Sequence, residues 1–410
     1  MRILVISNLY PPHFIGGYEL GCKDVVDRLK SRGHEIRVLT STYGLDRRES
    51  DGEVYRYLQL DLGRRQPGPP SLTYLLKRER RNQKAFHQIC KAFKPEIIYL
   101  WNLIHLSPSI AVLAERSGVP VVYFVSDKHW ARLGSPDVDP WLNIVSRSFP
   151  NPKATVRAGV TMLRGALDTL GLIHAGELTF PRVHFVSEFL KQEAIRAGRP
   201  VAHGEVIRWG VDLTRFTYQP PANRIMRLVY VGQITEGKGF GTAIEVMRRL
   251  GNQPGSAALS MTIVGNSIAP DYLAEMKELV RAQGLQQNIL FAGPAARERL
   301  PDIYREHDIL LFPSQLDEAL SITTLEALAC GLPVVGTATG GNVEVLRHEF
   351  NALIFPKGDA ITAASHVSRV VVDRELFERL SQNGRHTVED GFDLEKMVDR
   401  IERSLTAAAE

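Results

Sequence analysis

A chain of 410 residues, 44% hydrophobic and 23% charged, exceeds one ordinary core and suits two globular domains of about 200 residues each. Net charge is +4, yet residues 1–205 carry 29 Lys and Arg against 20 Asp and Glu, while residues 206–410 carry 21 against 26. That asymmetry points to two units with different partners. Three scattered cysteines (Cys22, Cys90, Cys330) form neither a disulfide framework nor a metal pattern and suit a reducing cytoplasm. The apolar start, residues 1–7, is broken by Asn8 and Pro11-Pro12 too soon for a signal peptide. No run approaches the ~20 apolar residues of a membrane-spanning helix.

Residues 1–125 alternate strand-like and helix-like spacing. Strands are predicted over 2–7, 34–40, 54–59, 97–101 and 119–125, and helices over 18–32, 72–93 and 108–117. Such alternation with apolar strands predicts an α/β fold built on a parallel, doubly wound sheet. Residues 126–182 break the rhythm with Trp130, Pro136, Pro140, Trp141, Pro150 and Pro152. Their one amphipathic pattern, over 155–170, reads as an elaboration over a cleft rather than a further βα unit. A strand over 183–186 and a helix over 188–197 resume the alternation, and Tyr218-Gln219-Pro220-Pro221-Ala222-Asn223 reads as an interdomain linker. The second series has strands over 228–231, 260–264, 288–291, 309–312, 334–335 and 352–354. Its helices fall over 239–250, 272–282, 296–306, 322–330, 342–347 and 360–373, and the tail, 374–407, holds two more, parted at Asp390-Gly391. Two Rossmann-like sheets of this kind would present their strand ends to one crevice.

Three glycine-rich turns follow predicted strands: Gly16-Gly17, the loop Gly232-Gln233-Ile234-Thr235-Glu236-Gly237-Lys238-Gly239, and Gly340-Gly341. Backbone N–H groups at a helix start suit an anion, glycine permits close approach, and Lys238 is a point charge for phosphate. None matches GxxxxGK[ST] or a full GxGxxG, so each taken alone is better read as an ordinary βα turn. The densest stretch is 314–344, where Glu318 and Glu326 stand eight residues apart with a helix starting between them. Alone, these two are better read as a capped, solvated helix start.

Taken together, these features resemble the retaining GT-B glycosyltransferases of family 4. The signature is carried by Glu318, Leu325-Glu326-Ala327, Ala329, Gly331, Pro333-Val334-Val335 and Gly340-Gly341-Asn342-Val343-Glu344. Gly16-Gly17, Val186-Ser187-Glu188, Gly210-Val211-Asp212 with Phe216, Val231-Gly232, Lys238-Gly239 and Val264-Gly265 follow the family order over nearly the whole chain. The resemblance implies a GT-B fold. Its parts would be an N-terminal Rossmann-like acceptor domain over 1–208, a nucleotide-sugar domain over 209–373, and helices over 374–410 crossing back to the first. It implies that Glu326 receives the ribose hydroxyls, that Glu318 receives a hydroxyl of the donor sugar, and that Lys238 neutralises the leaving diphosphate. Backbone around Ala319, Leu320, Ser321 and Ile322 would meet the sugar and distal phosphate at a helix start. Gly16, Gly17, Gly232, Gln233 and Gly265 would complete the donor site. The chemistry implied is retaining transfer of a hexose-type sugar to a glycan, lipid-linked or small-molecule acceptor in surface polysaccharide or glycoconjugate synthesis, with no cofactor and no metal.

The chain departs from the family in places. Gln233 replaces an arginine common after the Val-Gly of the second loop, and an amide donates a hydrogen bond without balancing charge. Ala319 stands for a frequent glycine and Ser126 for a frequent histidine. Asp127 is kept and, with His129, is a catalytic candidate of the first half, although His129 is either a displaced acceptor-side histidine or a loop histidine with no role. Asp137-Val138-Asp139 has the form of a metal-binding DxD, but its Pro-flanked setting reads as turn chemistry. The basic run Lys77-Arg78-Glu79-Arg80-Arg81-Asn82-Gln83-Lys84, with Arg64-Arg65 upstream, is either a solvated helix face or a surface for peripheral contact at the inner membrane face. Nucleic acid is disfavoured because no aromatics interleave the run. The rival readings are a sugar-nucleotide epimerase or phosphorylase on the same scaffold, and a non-catalytic sugar-nucleotide binder made thinkable by Gln233 and Ser126.

Overall fold

The computed structural model describes residues 1–61, 72–129, 154–174, 177–219, 227–251, 259–267 and 269–410. Two compact units result: Met1–Ile207 with Val398–Glu410, and Arg208–Met397.

In the first unit the apolar runs become an eight-stranded sheet of order β3-β4-β2-β1-β5-β6-β7-β8. The strands are β1 (Arg2–Ile6), β2 (Glu35–Ser41), β3 (Glu49–Ser50), β4 (Val54–Leu58), β5 (Ile97–Leu100), β6 (Val121–Val125), β7 (Val183–Phe185) and β8 (Glu205–Val206). All neighbours are parallel except β3 with β4. Ile3, Leu4, Val5, Ile6, Ile97 and Ile98 are fully buried, as strands covered on both faces require. The helices are α1 (Gly17–Ser31), α2 (Leu72–Phe93), α3 (Ser109–Glu115), α4 (Ala154–Thr169) and α5 (Glu188–Arg196). The two-residue strands β3 and β8 are too short to leave a periodic trace in sequence.

The second unit has a six-stranded, wholly parallel sheet of order β11-β10-β9-β12-β13-β14. Its strands are β9 (Arg227–Val231), β10 (Ser260–Val264), β11 (Ile289–Gly293), β12 (Ile309–Phe312), β13 (Val334–Gly336) and β14 (Ala352–Ile354). Its helices are α6 (Phe240–Gly251), α7 (Pro270–Ala282), α8 (Leu300–Arg305), α9 (Ile322–Cys330), α10 (Ala360–Val372) and α11 (Arg374–Gly391), and α12 (Leu394–Ala409) ends the chain. Strand order reverses at β9, so the C-terminal ends of β9 and β12 form the topological switch point where such sheets bind ligands.

Three expectations are corrected. The crossing back does not begin at residue 374, because α11 belongs to the second unit: Leu376, Phe377 and Leu380 lie in that unit's core. Only α12, from Val398, joins the first. The helix expected over 342–347 is a 3-10 turn, Gly340–Glu344. The Asn342 carbonyl oxygen of its side chain is committed outside that turn, accepting from the Ser321 N–H. The pattern over 296–306 splits into a 3-10 turn, Arg297–Arg299, and α8, because Pro301 suits a helix start and not an interior. Most of the linker 218–223, Arg64-Arg65 and Asp137-Val138-Asp139 lie outside the described residues. Among the described residues no helix is long and apolar enough to cross a membrane.

The end of α12 is locked to the first sheet by a polar chain that is buried at Ser404, His184 and Tyr99 and reaches the surface at Glu205. Ser404 Oγ donates to Glu205 Oε1 at 3.3 Å, so it must accept from His184 Nε2 at 2.9 Å. His184 Nδ1 then accepts from the Tyr99 hydroxyl at 3.1 Å. Burial, helped by Arg182 and Arg400, holds the His184 imidazole down to about 3. A histidine neutral when folded but protonated when unfolded below about pH 6.5 lowers stability as pH falls from there toward 3. Urea midpoints of the wild type should therefore drop more steeply over that range than those of His184→Gln, which removes the titrating ring.

Candidate functional site

At the switch point, β9 runs into Gly232-Gln233 and β12 into Pro313-Ser314. Glycines let these loops close on one another. Gly265, at φ +148, leaves a Cβ only 1.9 Å from the Gly232 carbonyl oxygen, and Gly239, at φ +70, one 1.8 Å from that of Pro313. No other L residue fits either place without moving backbone. Gln315 N–H donates to Gly237 O at 2.9 Å and Gly239 N–H to Glu236 O at 2.8 Å, which fixes the Lys238 loop against the end of β12.

That closure brings Lys238 to Glu318. Lys238 Nζ donates to Glu318 Oε1 at 2.8 Å and Oε2 at 2.9 Å, and Ser314 Oγ donates to Oε1 at 2.5 Å. Glu318 is 8% exposed. Its main chain is clamped as well. Gly341 N–H donates to Glu318 O at 2.7 Å, and Gly340, at φ +60, packs where a Cβ would stand 2.2 Å from that oxygen. Desolvating an ion pair this far offsets most of its own attraction, so the pair contributes little to folding and its retention calls for another reason.

Next to it α9 begins at the Ser321 cap, whose Oγ accepts from Thr324 N–H. Ser321 N–H is taken by Asn342 Oδ1 at 2.8 Å. The N–H groups of Leu320, Ile322 and Thr323 find no acceptor among the described residues. Ala319 and Leu320 are buried beside them, so a helix start with open donors borders the Lys238–Glu318 pair. One turn further, Glu326 is buried and its Oε2 accepts from the Tyr304 hydroxyl at 3.0 Å. Burial, then this carboxylate, raises the Tyr304 phenol far above its ordinary range, so it remains a donor. Gln233 offers its main-chain carbonyl to the Tyr230 hydroxyl at 2.7 Å.

The candidates of the first unit are arranged differently. Gly16 precedes α1, and its N–H donates to Glu19 Oε2 at 3.0 Å. The carboxylate of this helix start is therefore internal, with its proton affinity raised by burial; Gly17 opens the helix itself. Asp127 Oδ1 accepts from the His129 N–H at 2.6 Å, shaping the loop after β6, and Ser126 is buried beside it. At this sheet's own switch point, between β1 and β5, Asn8 N–H donates to Asn102 O at 2.6 Å. Among the described residues, no group of three His, Cys, Asp or Glu could hold a metal ion.

This arrangement has relatives. Residues 220–387 match the family described as glycosyl transferases group 1, and residues 16–210 a glycosyl transferase 4-like domain. The chain belongs to the glycosyl transferases of group 1. It is 24% identical to the uncharacterized glycosyltransferase MJ1607 of Methanocaldococcus jannaschii, over 96% of this chain and 94% of that protein. It is 27% identical to a GDP-mannose-dependent alpha-(1-6)-phosphatidylinositol monomannoside mannosyltransferase of Mycobacterium tuberculosis. That match takes in 50% of this chain and 56% of that enzyme, about half its length. Among solved structures, Anabaena Alr3699/HepE in complex with UDP-glucose superposes with a TM-score of 0.69 at 19% identity, over 99% of this chain and all of that one. With two parallel α/β units, this likeness makes the fold GT-B.

For a group 1 transferase, the motif residues account for only part of the geometry. Ser314 and Tyr304 each hold a motif glutamate, and the Asn342 side chain, itself within the motif, holds the Ser321 N–H. Ser314 could have been found from its place at the end of a buried strand, four residues before Glu318. Tyr304 is distant in sequence and left no signal. Two contrasts test this packing. Gly239→Ala should lower stability by about 1–3 kcal/mol, whereas Gly241→Ala, where a Cβ meets nothing within 4 Å, should be neutral or stabilising by about 0.5–1 kcal/mol. Tyr304→Phe, which strips a donor from the buried Glu326, should cost about 1–3 kcal/mol. Urea denaturation reads all three.

Proposed function

We propose that this transferase moves a hexose-type sugar from a nucleoside-diphosphate sugar to a glycan, lipid-linked or small-molecule acceptor, with retention of anomeric configuration. The setting would be the cytoplasmic side of surface polysaccharide or glycoconjugate synthesis. The observation that carries this reading is the Lys238–Glu318 pair at the switch point, beside a helix start whose donors are open. A leaving diphosphate needs a cation and convergent N–H groups, and a sugar needs a nearby carboxylate for its hydroxyls. Relatives described as using GDP-mannose and as binding UDP-glucose support the donor class.

In this reading Glu326 receives the ribose hydroxyls and Glu318 exchanges the Lys238 ammonium for a sugar hydroxyl. Lys238 turns to the diphosphate, and Gln233 adds a neutral donor there. Backbone from Ala319 to Ile322 holds the distal phosphate, with Gly232 and Gly265 giving room for the nucleotide. In the first unit, Asp127 and His129 are the candidates for acceptor-side catalysis, and Gly16 and Gly17 those for the donor. The sugar C1–O bond to phosphate breaks as the acceptor oxygen forms the new bond on the same face. The acceptor proton passes to the departing phosphate oxygen, so no metal and no protein nucleophile is required.

A donor panel scored by released nucleoside diphosphate, with proton NMR of the product's anomeric centre, checks the reaction. The expected result is a new glycoside of unchanged configuration. An isomerised sugar nucleotide or a sugar phosphate would favour the epimerase or phosphorylase, and donor binding with no release from any acceptor pool a non-catalytic binder. Lys238→Ala should lower kcat by about 10²–10³-fold; unchanged turnover in Glu318→Ala would contradict the donor-site assignment.

A further inference from the structure

Helix α2 contains one acidic residue, Glu79, and the fold buries it completely. Arg78 is turned inward as well, 3.0 Å from Asp61 and over the Tyr74 ring. The roll of the helix is fixed by Asn82, whose side chain both accepts from Gln59 N–H at 2.8 Å and donates to Gln59 O at 3.0 Å. Lys77, Arg80, Arg81, Lys84 and Lys91 are left exposed. At helical periodicity these positions fall on a single stripe, about 20 Å long. Exposed helix cations are commonly interleaved with acids at i+3 or i+4, but α2 places no acid on this stripe.

The neighbouring helix adds a second, apolar component. Leu167 of α4 packs with Leu75 of α2 and with Ile173, and Gln83 Nε2 donates to Leu172 O at 3.3 Å. Beside that contact, Met162 is 77% exposed, Leu163 45% and Leu170 70%. Water-facing apolar side chains on the segment that packs against α2, together with an acid-free cationic stripe on α2 itself, are the two components of an interfacial membrane surface. The exposed aromatic flanking the stripe, Tyr74, has the Arg78 guanidinium over its ring, 5.9 Å from the centroid.

We propose that this face of the first unit docks on an anionic phospholipid surface, with the α2 cations over the headgroups and Met162, Leu163 and Leu170 entering the interfacial layer. The proposal extends the lipid-linked acceptor reading, since it would bring the protein to such an acceptor, but it is tested apart from turnover. The full chain is sedimented with vesicles of mixed phosphatidylglycerol and phosphatidylcholine, and with phosphatidylcholine alone. Binding is expected on the anionic vesicles only, and it should weaken as salt rises. Replacing Lys77, Arg80, Arg81 and Lys84 together by Gln should weaken it by about 10²–10³-fold. Met162→Gln with Leu163→Gln should weaken it by about tenfold and leave the salt dependence in place. All these positions are exposed, so an unchanged urea midpoint separates lost docking from lost folding. Equal binding to neutral vesicles, wild-type binding by the quadruple variant, or displacement of the vesicles by an RNA oligonucleotide would overturn the proposal. Release of nucleoside diphosphate onto a soluble acceptor, measured in parallel, should be the same in the quadruple variant. Its loss across all donors in the wild type would count against the transfer reading while leaving the docking result standing.

Discussion

The constraint on which the second unit turns is the approach of Lys238 to Glu318. An ammonium and a carboxylate meet there under cover, after both have lost much of their water, and that geometry has to be built. Gly239 against the Pro313 carbonyl, Gly340 against the Glu318 carbonyl, and the Ser314 hydroxyl on Oε1 build it. Each of the two glycines is required by a distance no Cβ could tolerate. A pair of this kind yields little folding energy, but it places a cation and an acceptor at the reversal of strand order, where parallel sheets take their ligands. Folding and the proposed donor site thus meet in two loops, one after β9 and one after β12.

How much of this was legible in sequence follows from which interactions are local. Apolar runs covered on both faces announced the long parallel strands, and α2 and α9 fall where their periodicity predicts. Short elements failed: β3 and β8 are two residues each, below the length at which any period can be read. The 3-10 turn at Gly340–Glu344 failed for a different reason. Asn342 is committed to the Ser321 N–H, a partner twenty-one positions away, and local pattern carries no trace of it. The site divides the same way. Glu318, Glu326 and Lys238 were visible as a motif and Ser314, which holds Glu318, from its place at a strand end, while Tyr304, which holds Glu326, left no trace. The Gly16-Gly17 turn was legible as a helix start, but the fold puts Glu19 on the Gly16 amide, so an internal carboxylate already meets the donor that a ligand anion would want.

The charge asymmetry between halves also gains a structural meaning. The basic run in the first half does not face solvent as a whole. Arg78 and Glu79 turn inward, and what remains outside is a stripe without acids on a helix whose buried side packs against the α4 segment. Sequence showed the sign of the charge, and burial decided which of it is available to a partner.

The central claim is that Lys238 serves the diphosphate and Glu318 the sugar. It is tested most directly by calorimetric binding of a nucleoside diphosphate and of its sugar conjugate to the wild type, Lys238→Met and Glu318→Gln. The account predicts that Lys238→Met weakens both ligands by about tenfold or more, as loss of a charge-assisted contact should. Glu318→Gln should weaken the sugar conjugate alone. Equal effects of the two variants on both ligands, or no effect of either, would contradict it.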